Sequence, residues 1–233
     1  MLREIIKKIK NVTGYTVHQQ KQSQIKRQKL LQAYGIEALM KLYDVGKRLN
    51  QEVIPIYGTL LGFYRNHDFI PHDDDLDVTM NVKALDSVLF DELNKSGFIM
   101  NHISRTTDGK GFSLSMSYKG LTCDITFGEI VDDCYIIQCP VPQVGKTWSE
   151  SQKSNIFVSN KVVIPKWNDK KTVKIRNEEI LIPSNSDFVL KSIYGDDFMT
   201  PKPGFHESLT ENIPLKDIYF SQIPIKLFVE EFL

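Results

Sequence analysis

Between Phe69 and Met80 the chain places four carboxylates, Asp73, Asp74, Asp75 and Asp77, directly ahead of and inside an alternating apolar stretch. In an extended chain, residues two apart share a face, so Asp73, Asp75 and Asp77 project together while Leu76, Val78 and Met80 face a core. Alternate strand positions lie about 6.8 Å apart, within the span of one or two cations. Three like charges on one short strand repel one another unless one protonates or a cation intervenes. Mg²⁺ or Mn²⁺, with carboxylates supplying oxygens and a substrate phosphate completing the shell, resolves that conflict. An exposed acidic turn is the competing reading. The apolar alternation, which anchors the segment in a sheet, counts against it. In this register Asp74 points the other way and is not an expected ligand.

Two further segments bear on this cluster. Phe112, Leu114, Met116 and Tyr118 alternate with serines, Lys119 and Gly120 turn the chain, and Leu121, Cys123, Ile125 and Phe127 alternate with polar residues. That pattern is a hairpin. It puts Asp124 in mid-strand, where an isolated carboxylate is disfavoured unless satisfied. A strand beside the Asp75 strand brings Asp124 either to the same metal or to an acceptor hydroxyl as general base. A solvent-facing sheet residue is the alternative. Upstream, Tyr57 to Gly62 reads as strand, glycine turn and helix start. Gly58 permits close backbone approach, and the helix N-terminus with Thr59 offers N–H groups and positive dipole to a phosphate. Arg65 adds a guanidinium fork for phosphate oxygens.

The remaining pattern predicts an α+β domain with a mixed sheet flanked by helices. Ser23 to Asn50 carries helical spacing, as one long or two shorter helices. Val53 to Tyr57 reads as a short strand, Thr59 as the cap of a helix from Leu60 to about Asn66, and Ala84 to Asn94 as a helix stopped by Gly97. Thr172 to Ile182 forms a hairpin around Arg176 and Asn177, and Asp187 to Tyr194 a helix ended by Gly195. The stretch 138–167 is punctuated by prolines, and the chain beyond Pro201 reads as irregular. Trp148 and Trp167 suit packing, with base or sugar stacking as the alternative.

Net charge is zero, yet residues 1–30 hold eight basic side chains against the single acid Glu4. Such an arm suits a solvated helix face, or contact with anionic headgroups at the inner face of a membrane. Basic and aromatic residues are not interleaved elsewhere, so no nucleic-acid partner is expected. No apolar run is long enough to span a bilayer, and the charged N-terminus does not read as a signal peptide, so a cytoplasmic location is expected. Cys123, Cys134 and Cys139 lack metal-site spacing and read as free thiols.

At three places the sequence resembles the LicD family, which includes fukutin and fukutin-related protein and belongs to the nucleotidyltransferase-fold superfamily. Tyr57 to Arg65 resembles its glycine-Arg element, Phe69 to Val78 its acidic signature, and Tyr194 to Pro201 its C-terminal element. His72 stands where many bacterial members carry tryptophan, and the cysteine-rich zinc insertion of the animal relative is lacking.

The resemblance implies a nucleotidyltransferase-like mixed sheet and transfer of a phosphorylated alcohol, such as phosphocholine or ribitol phosphate. The donor would be a CDP-alcohol and the acceptor a hydroxyl of a surface glycan or glycolipid. It implies metal binding by Asp73, Asp75 and Asp77, catalysis by Asp75, Asp77 and Asp124, and donor contacts from Gly58, Thr59 and Arg65. The organisation it implies is a helical region over 1–44, a catalytic domain over 45–204 and a C-terminal extension over 205–233 packing on that domain. Three other activities fit the same residues: a true nucleotidyltransferase, a glycosyltransferase using Asp75 and Asp77 as a DxD motif, or a non-catalytic subunit of a polysaccharide assembly complex.

Overall fold

In the computed structural model the N-terminal fifth of the chain forms one continuous helix, α1, from Leu2 to Leu49. At 1.5 Å per residue it runs roughly 70 Å. The structure describes residues 2–143, 145–146, 148–167, 169–201 and 213–232, without the side chains of 2–20, 148 and 213–217. The basic arm ahead of Lys21 and the Trp148 indole therefore lie outside the described side chains. Leu31, Ala38, Leu39, Leu42 and Val45 form the buried stripe of α1.

Next come β1 (Ile54–Pro55), α2 (Tyr57–Arg65), β2 (Asp75–Asn81), a 3₁₀ turn at Val82–Ala84 and α3 (Ser87–Lys95). They are followed by β3 (Ile99–Thr106), β4 (Phe112–Tyr118), β5 (Leu121–Val131), β6 (Cys134–Val141), α4 (Trp148–Ser154) and β7 (Phe157–Pro165). The chain ends with β8 (Lys170–Ile175), β9 (Glu178–Pro183), α5 (Ser186–Tyr194), β10 (Ile213–Ile223) and α6 (Ile225–Phe232).

Eight strands make one sheet in the order β1-β2-β5-β4-β3-β10-β7-β6. β2 and β5 pair in parallel and the other neighbours antiparallel, so the sheet is mixed, as expected. The end of β5 also pairs β6, so the hydrogen-bonded path returns on itself. β8 and β9 form a separate ribbon. One face of the sheet carries Leu76, Val78, Met80, Ile103, Leu114, Met116, Cys123, Ile125 and Phe127, all buried in a core shared with α1 and α3. Each such side chain contributes about 1.5–3 kcal/mol of burial. Among the described residues no helix is long and apolar enough to cross a membrane. The three cysteines are free thiols.

Several expectations change in detail. The helix expected from Leu60 begins at Tyr57, leaving a two-residue β1, and Ile56 rather than Thr59 holds its N-cap position. The helix expected from Ala84 begins at Ser87, because Asp86 accepts the Leu89 N–H at 2.8 Å and restarts the chain after the 3₁₀ turn. Four strands were not legible, β7 among them because it lies in the proline-punctuated stretch 138–167. β3 contains an irregularity between Met100 and His102 that breaks alternation. β6 carries Pro140, which the sheet tolerates because β5 pairs only the first half of that strand. Of the segment expected to be irregular beyond Pro201, 202–212 lie outside the described residues, and Ile213–Ile223 form β10 between β3 and β7, its alternation masked by a register shift between Pro214 and Tyr219. α6 then sets Phe228 against Phe90 and Phe112.

Gly62 shows how tightly α2 meets the turn ahead of β2. A Cβ there would lie 2.7 Å from the Asp68 carbonyl oxygen and 2.9 Å from the Ile70 nitrogen, both backbone atoms unable to yield cheaply. Gly62→Ala is therefore expected to destabilise the protein by about 1–3 kcal/mol, seen as a lower urea midpoint at unchanged m-value.

Candidate active site

The parallel pairing of β2 and β5 sets Asp77 directly beside Asp124, with Asp75 beside Thr122 and Thr79 beside Thr126. Asp75, Asp77 and Asp124 each present a carboxylate oxygen within 4.8 Å of the others. The apolar partners Leu76, Val78, Cys123 and Ile125 face the other way, at 0% exposure. The alternation that anchors the strands thus also concentrates the charge.

Asp73 reaches the cluster by a different route from the one its spacing suggests. The strand starts at Asp75, so Asp73 lies in the preceding turn, its N–H donating to the Ile70 carbonyl at 3.0 Å. Its carboxylate sits over the first turn of α2, where a Cβ on Gly58 would come within 2.4 Å of Oδ2. A carboxylate oxygen of Asp73 groups with those of Asp74 and Asp75, again within 4.8 Å. Asp74 turns toward α1: Arg27 donates to its Oδ2 through Nε at 2.8 Å, with a second guanidinium nitrogen at 2.6 Å. Gln28 beside it donates to the His72 carbonyl at 3.0 Å, so α1 holds the acidic turn by two contacts.

Thr59 is not a cap but a clasp. Its Oγ1 accepts the Asp77 N–H at 3.0 Å, while the Ile56 N–H donates to the Asp77 carbonyl at 3.1 Å. Both backbone groups of Asp77 are therefore tied to the start of α2, and the positive end of that helix faces the acids. Arg65 lies at the other end of α2, roughly 10 Å along the axis from Gly58. Its guanidinium donates to Asn66 Oδ1 at 2.9 Å and to the Phe198 carbonyl at 3.2 Å, while the Tyr64 and Phe198 rings meet at 5.9 Å. The structure thus brings together Asp73, Asp75, Asp77, Asp124, Gly58 and Thr59, and places Arg65 against the Tyr194–Pro201 segment instead.

Beneath the acids, Thr79 donates to the Thr126 carbonyl at 2.7 Å and Tyr135 donates to the Met80 carbonyl at 2.6 Å, the two hydroxyls lying 3.1 Å apart. Gly128 makes room for the Tyr135 ring, which a Cβ would meet at 2.4 Å. Trp167 packs on that ring at 4.8 Å, a structural use of the indole. This buried network lies one alternate position further along β2 from Asp77, on the same face. Sequence reasoning missed it, because Tyr135 comes from a strand whose pairing no local pattern reveals. The Ser115–Asp124 pairing was available, since a two-residue turn at Lys119 and Gly120 fixes every opposite pair in the hairpin.

Burial weighs directly on Asp124. Its Oδ1 is shielded from solvent and has no hydrogen-bond partner among the described residues. Burial pushes its pKa up to about 6, with the neighbouring Ser115 hydroxyl pulling the other way. A desolvated, unpartnered carboxylate oxygen beside two further carboxylates is a donor set suited to a hard divalent cation.

Two predictions arise from this geometry. Because the folded pKa of Asp124 stands above the unfolded value, the folded state holds the extra proton between about pH 4 and pH 6, and stability falls as pH rises through that window. In EDTA, Asp124→Asn should therefore gain on the native protein by about 1–2 kcal/mol between pH 4 and pH 7, read from thermal or urea unfolding. Gly58→Ala should displace the Asp73 carboxylate and weaken Mn²⁺ binding, measured by calorimetry, while leaving the far-UV circular dichroism unchanged.

A family model described as LicD/FKTN/FKRP, nucleotidyltransferase domain, matches residues 51–185, more than half of the 233-residue chain. Comparison with curated proteins gives no match. The matched stretch runs from just before β1 to the start of α5 and includes α2, the turn before β2, β2 and β5, which together carry the acidic site. With that domain spanning the elements that gather its carboxylates, the chain belongs to the LicD/FKTN/FKRP family.

Proposed function

We propose that the protein transfers a phosphorylated alcohol from a CDP-alcohol to a glycan hydroxyl, using a divalent cation held by Asp75, Asp77 and Asp124 with Asp73 alongside. Family membership supports a phosphotransferase-type role on glycans. The observation that carries the finer reading is the convergence of three carboxylates with oxygens within 4.8 Å of one another, beside a helix N-terminus, Asp124 among them having an Oδ1 shielded from solvent and without a hydrogen-bond partner among the described residues. When bound, Mg²⁺ or Mn²⁺ supplies charge neutralisation for the donor pyrophosphate and its leaving group.

The chain's own groups divide the remaining work. The first turn of α2, opened by Gly58 and pinned through Thr59, directs N–H groups and positive dipole at donor phosphate oxygens. The acceptor oxygen forms its bond to the distal phosphorus as the bond from that phosphorus to the bridging oxygen breaks, and CMP leaves with that oxygen. The acceptor proton passes to Asp124 or, where Asp124 is wholly engaged as a ligand, to solvent. Arg65 braces the Tyr194–Pro201 segment through Phe198, fixing the outer end of α2 against that segment. The basic N-terminal arm serves peripheral contact with anionic headgroups, near which a glycolipid acceptor would be presented.

With CDP-choline or CDP-ribitol and Mg²⁺, the native protein is expected to release CMP, slowly to water and faster to an acceptor. EDTA should abolish release, and Asp75→Asn should lower it by about a hundredfold or more with unfolding midpoint intact or raised, since one charge leaves a repelling cluster. Release of pyrophosphate from a nucleoside triphosphate would favour the nucleotidyltransferase reading instead. Release of a nucleoside diphosphate from a nucleotide sugar would favour a glycosyltransferase.

A further inference from the structure

The acidic site is one end of a longer polar row. Register sets Asp77 beside Asp124, Asp124 beside Ser115, and Ser115 beside His102, across β2, β5, β4 and β3. At about 4.8 Å per strand, the His102 Cα lies about 10 Å from that of Asp124. Ser113 and Ser117 flank Ser115 on the same face, and all three serines are half-buried.

His102 occupies this face because of a bulge. Pairing runs from Met100 opposite Met116 directly to His102 opposite Ser115, leaving Asn101 as an extra residue. Under strict alternation Met100 and His102 would share the apolar face. The inserted residue turns the imidazole to the acidic side and returns Ile103 to the core opposite Leu114. Bulges concentrate beside active sites, where they re-aim a side chain.

The imidazole is half-buried and has no hydrogen-bond partner among the described residues. Burial lowers its pKa, favouring the neutral ring, which offers one donor and one acceptor. A hydroxyl satisfies both capacities, and leaving them unmet in a half-buried place costs stability. Ile99, opposite Ser117 on the same face, is 69% exposed. Small hydroxyls, an imidazole and an exposed apolar side chain together suit a saccharide, which carries hydroxyls at its rim and C–H groups on its faces.

We propose that the Ser115–His102 row is the acceptor saccharide site, with His102 holding the sugar so that one hydroxyl reaches Asp124. The use made of that sugar rests on the phosphotransferase reading above, whereas its binding does not. The binding test is NMR of the imidazole resonances in protein loaded with Mg²⁺ and CMP. It is titrated with the methyl glycosides of glucose, galactose, N-acetylglucosamine and N-acetylgalactosamine. The His102 signal, assigned by its loss in His102→Ala, is expected to shift with at least one glycoside and not with CMP alone. A signal unmoved by every glycoside, or moved by CMP alone, overturns the proposal.

In transfer from CDP-choline to the glycoside that shifts the signal, His102→Ala should raise the acceptor KM about tenfold. It should leave CMP release to water within about twofold of native, and His102→Gln should recover most of the loss. Equal loss of transfer and of release to water would instead assign His102 to donor chemistry and overturn the proposal. A native protein that binds a glycoside at His102 yet releases no CMP from any CDP-alcohol would defeat the phosphotransferase reading while upholding this one.

Discussion

The structure depends on holding Asp75, Asp77 and Asp124 together against their mutual repulsion. Two unit charges 4 Å apart near a protein surface repel by about 4 kcal/mol, comparable to what burying two apolar side chains contributes. The fold meets this cost on the reverse side of the same two strands. Leu76 and Cys123, Val78 and Ile125, and Met80 and Phe127 are opposite pairs, each side chain no more than 1% exposed. Parallel pairing matters here because it fixes both the apolar register and the acidic one. A one-residue slip would bring carboxylates into the core and apolar side chains to the site, so the acids cannot separate without dismantling the core.

The second support is α2, which acts as a short rod with a functional contact at each end. At its start Tyr57 sits at φ 49°, in the left-handed region, a conformation that costs a bulky residue about 1–2 kcal/mol. That sharp entry lets the chain leave β1 and begin a helix at once, so that Ile56 and Thr59 both reach the backbone of Asp77. At its end Arg65 and Tyr64 hold Phe198. The glycine-Arg element, the acidic stretch and the Tyr194–Pro201 segment are therefore physically continuous through one helix. Arg27 completes the frame from α1 by engaging Asp74, which takes the fourth carboxylate of the stretch toward a cation of its own.

How much of this was legible follows from where local pattern carries the information. The β4–β5 hairpin was readable because Lys119 and Gly120, at φ 50° and 84°, suit the two left-handed positions of a tight turn between alternating strands. The separation of Asp75 and Asp77 from Leu76 and Val78 was readable for the same period-two reason. Asp73 was expected on the same strand as Asp75, whereas a turn delivers its carboxylate beside those of Asp74 and Asp75. Thr59 was read as a cap because local propensity cannot reveal a hydroxyl committed to a backbone N–H eighteen residues away. β3 and β10 were hidden by register shifts, and β6 by a proline that only its unpaired edge makes tolerable. Arg65 was expected at the donor from its spacing and from the family's glycine-Arg element, and neither says toward which end of a helix a long side chain is drawn.

Under the proposed transfer, the two ends of the polar row would also separate the substrates. The start of α2 approaches the acids from the β1 side of β2, whereas Ser115 and His102 extend from Asp124 on the β4 side of β5. A donor phosphate seated at the α2 N-terminus and an acceptor seated on β4 and β3 would meet over the Asp77–Asp124 pair from opposite directions. That is the arrangement an in-line displacement at phosphorus requires, with attacking and leaving oxygens on opposite sides. It also explains why β4 presents serines rather than larger polar residues at 113, 115 and 117: long side chains there would fill the approach to Asp124. On the proposed reading, the acceptor's identity would be written in β3 and β4, and the donor's in α2 and the turn before β2.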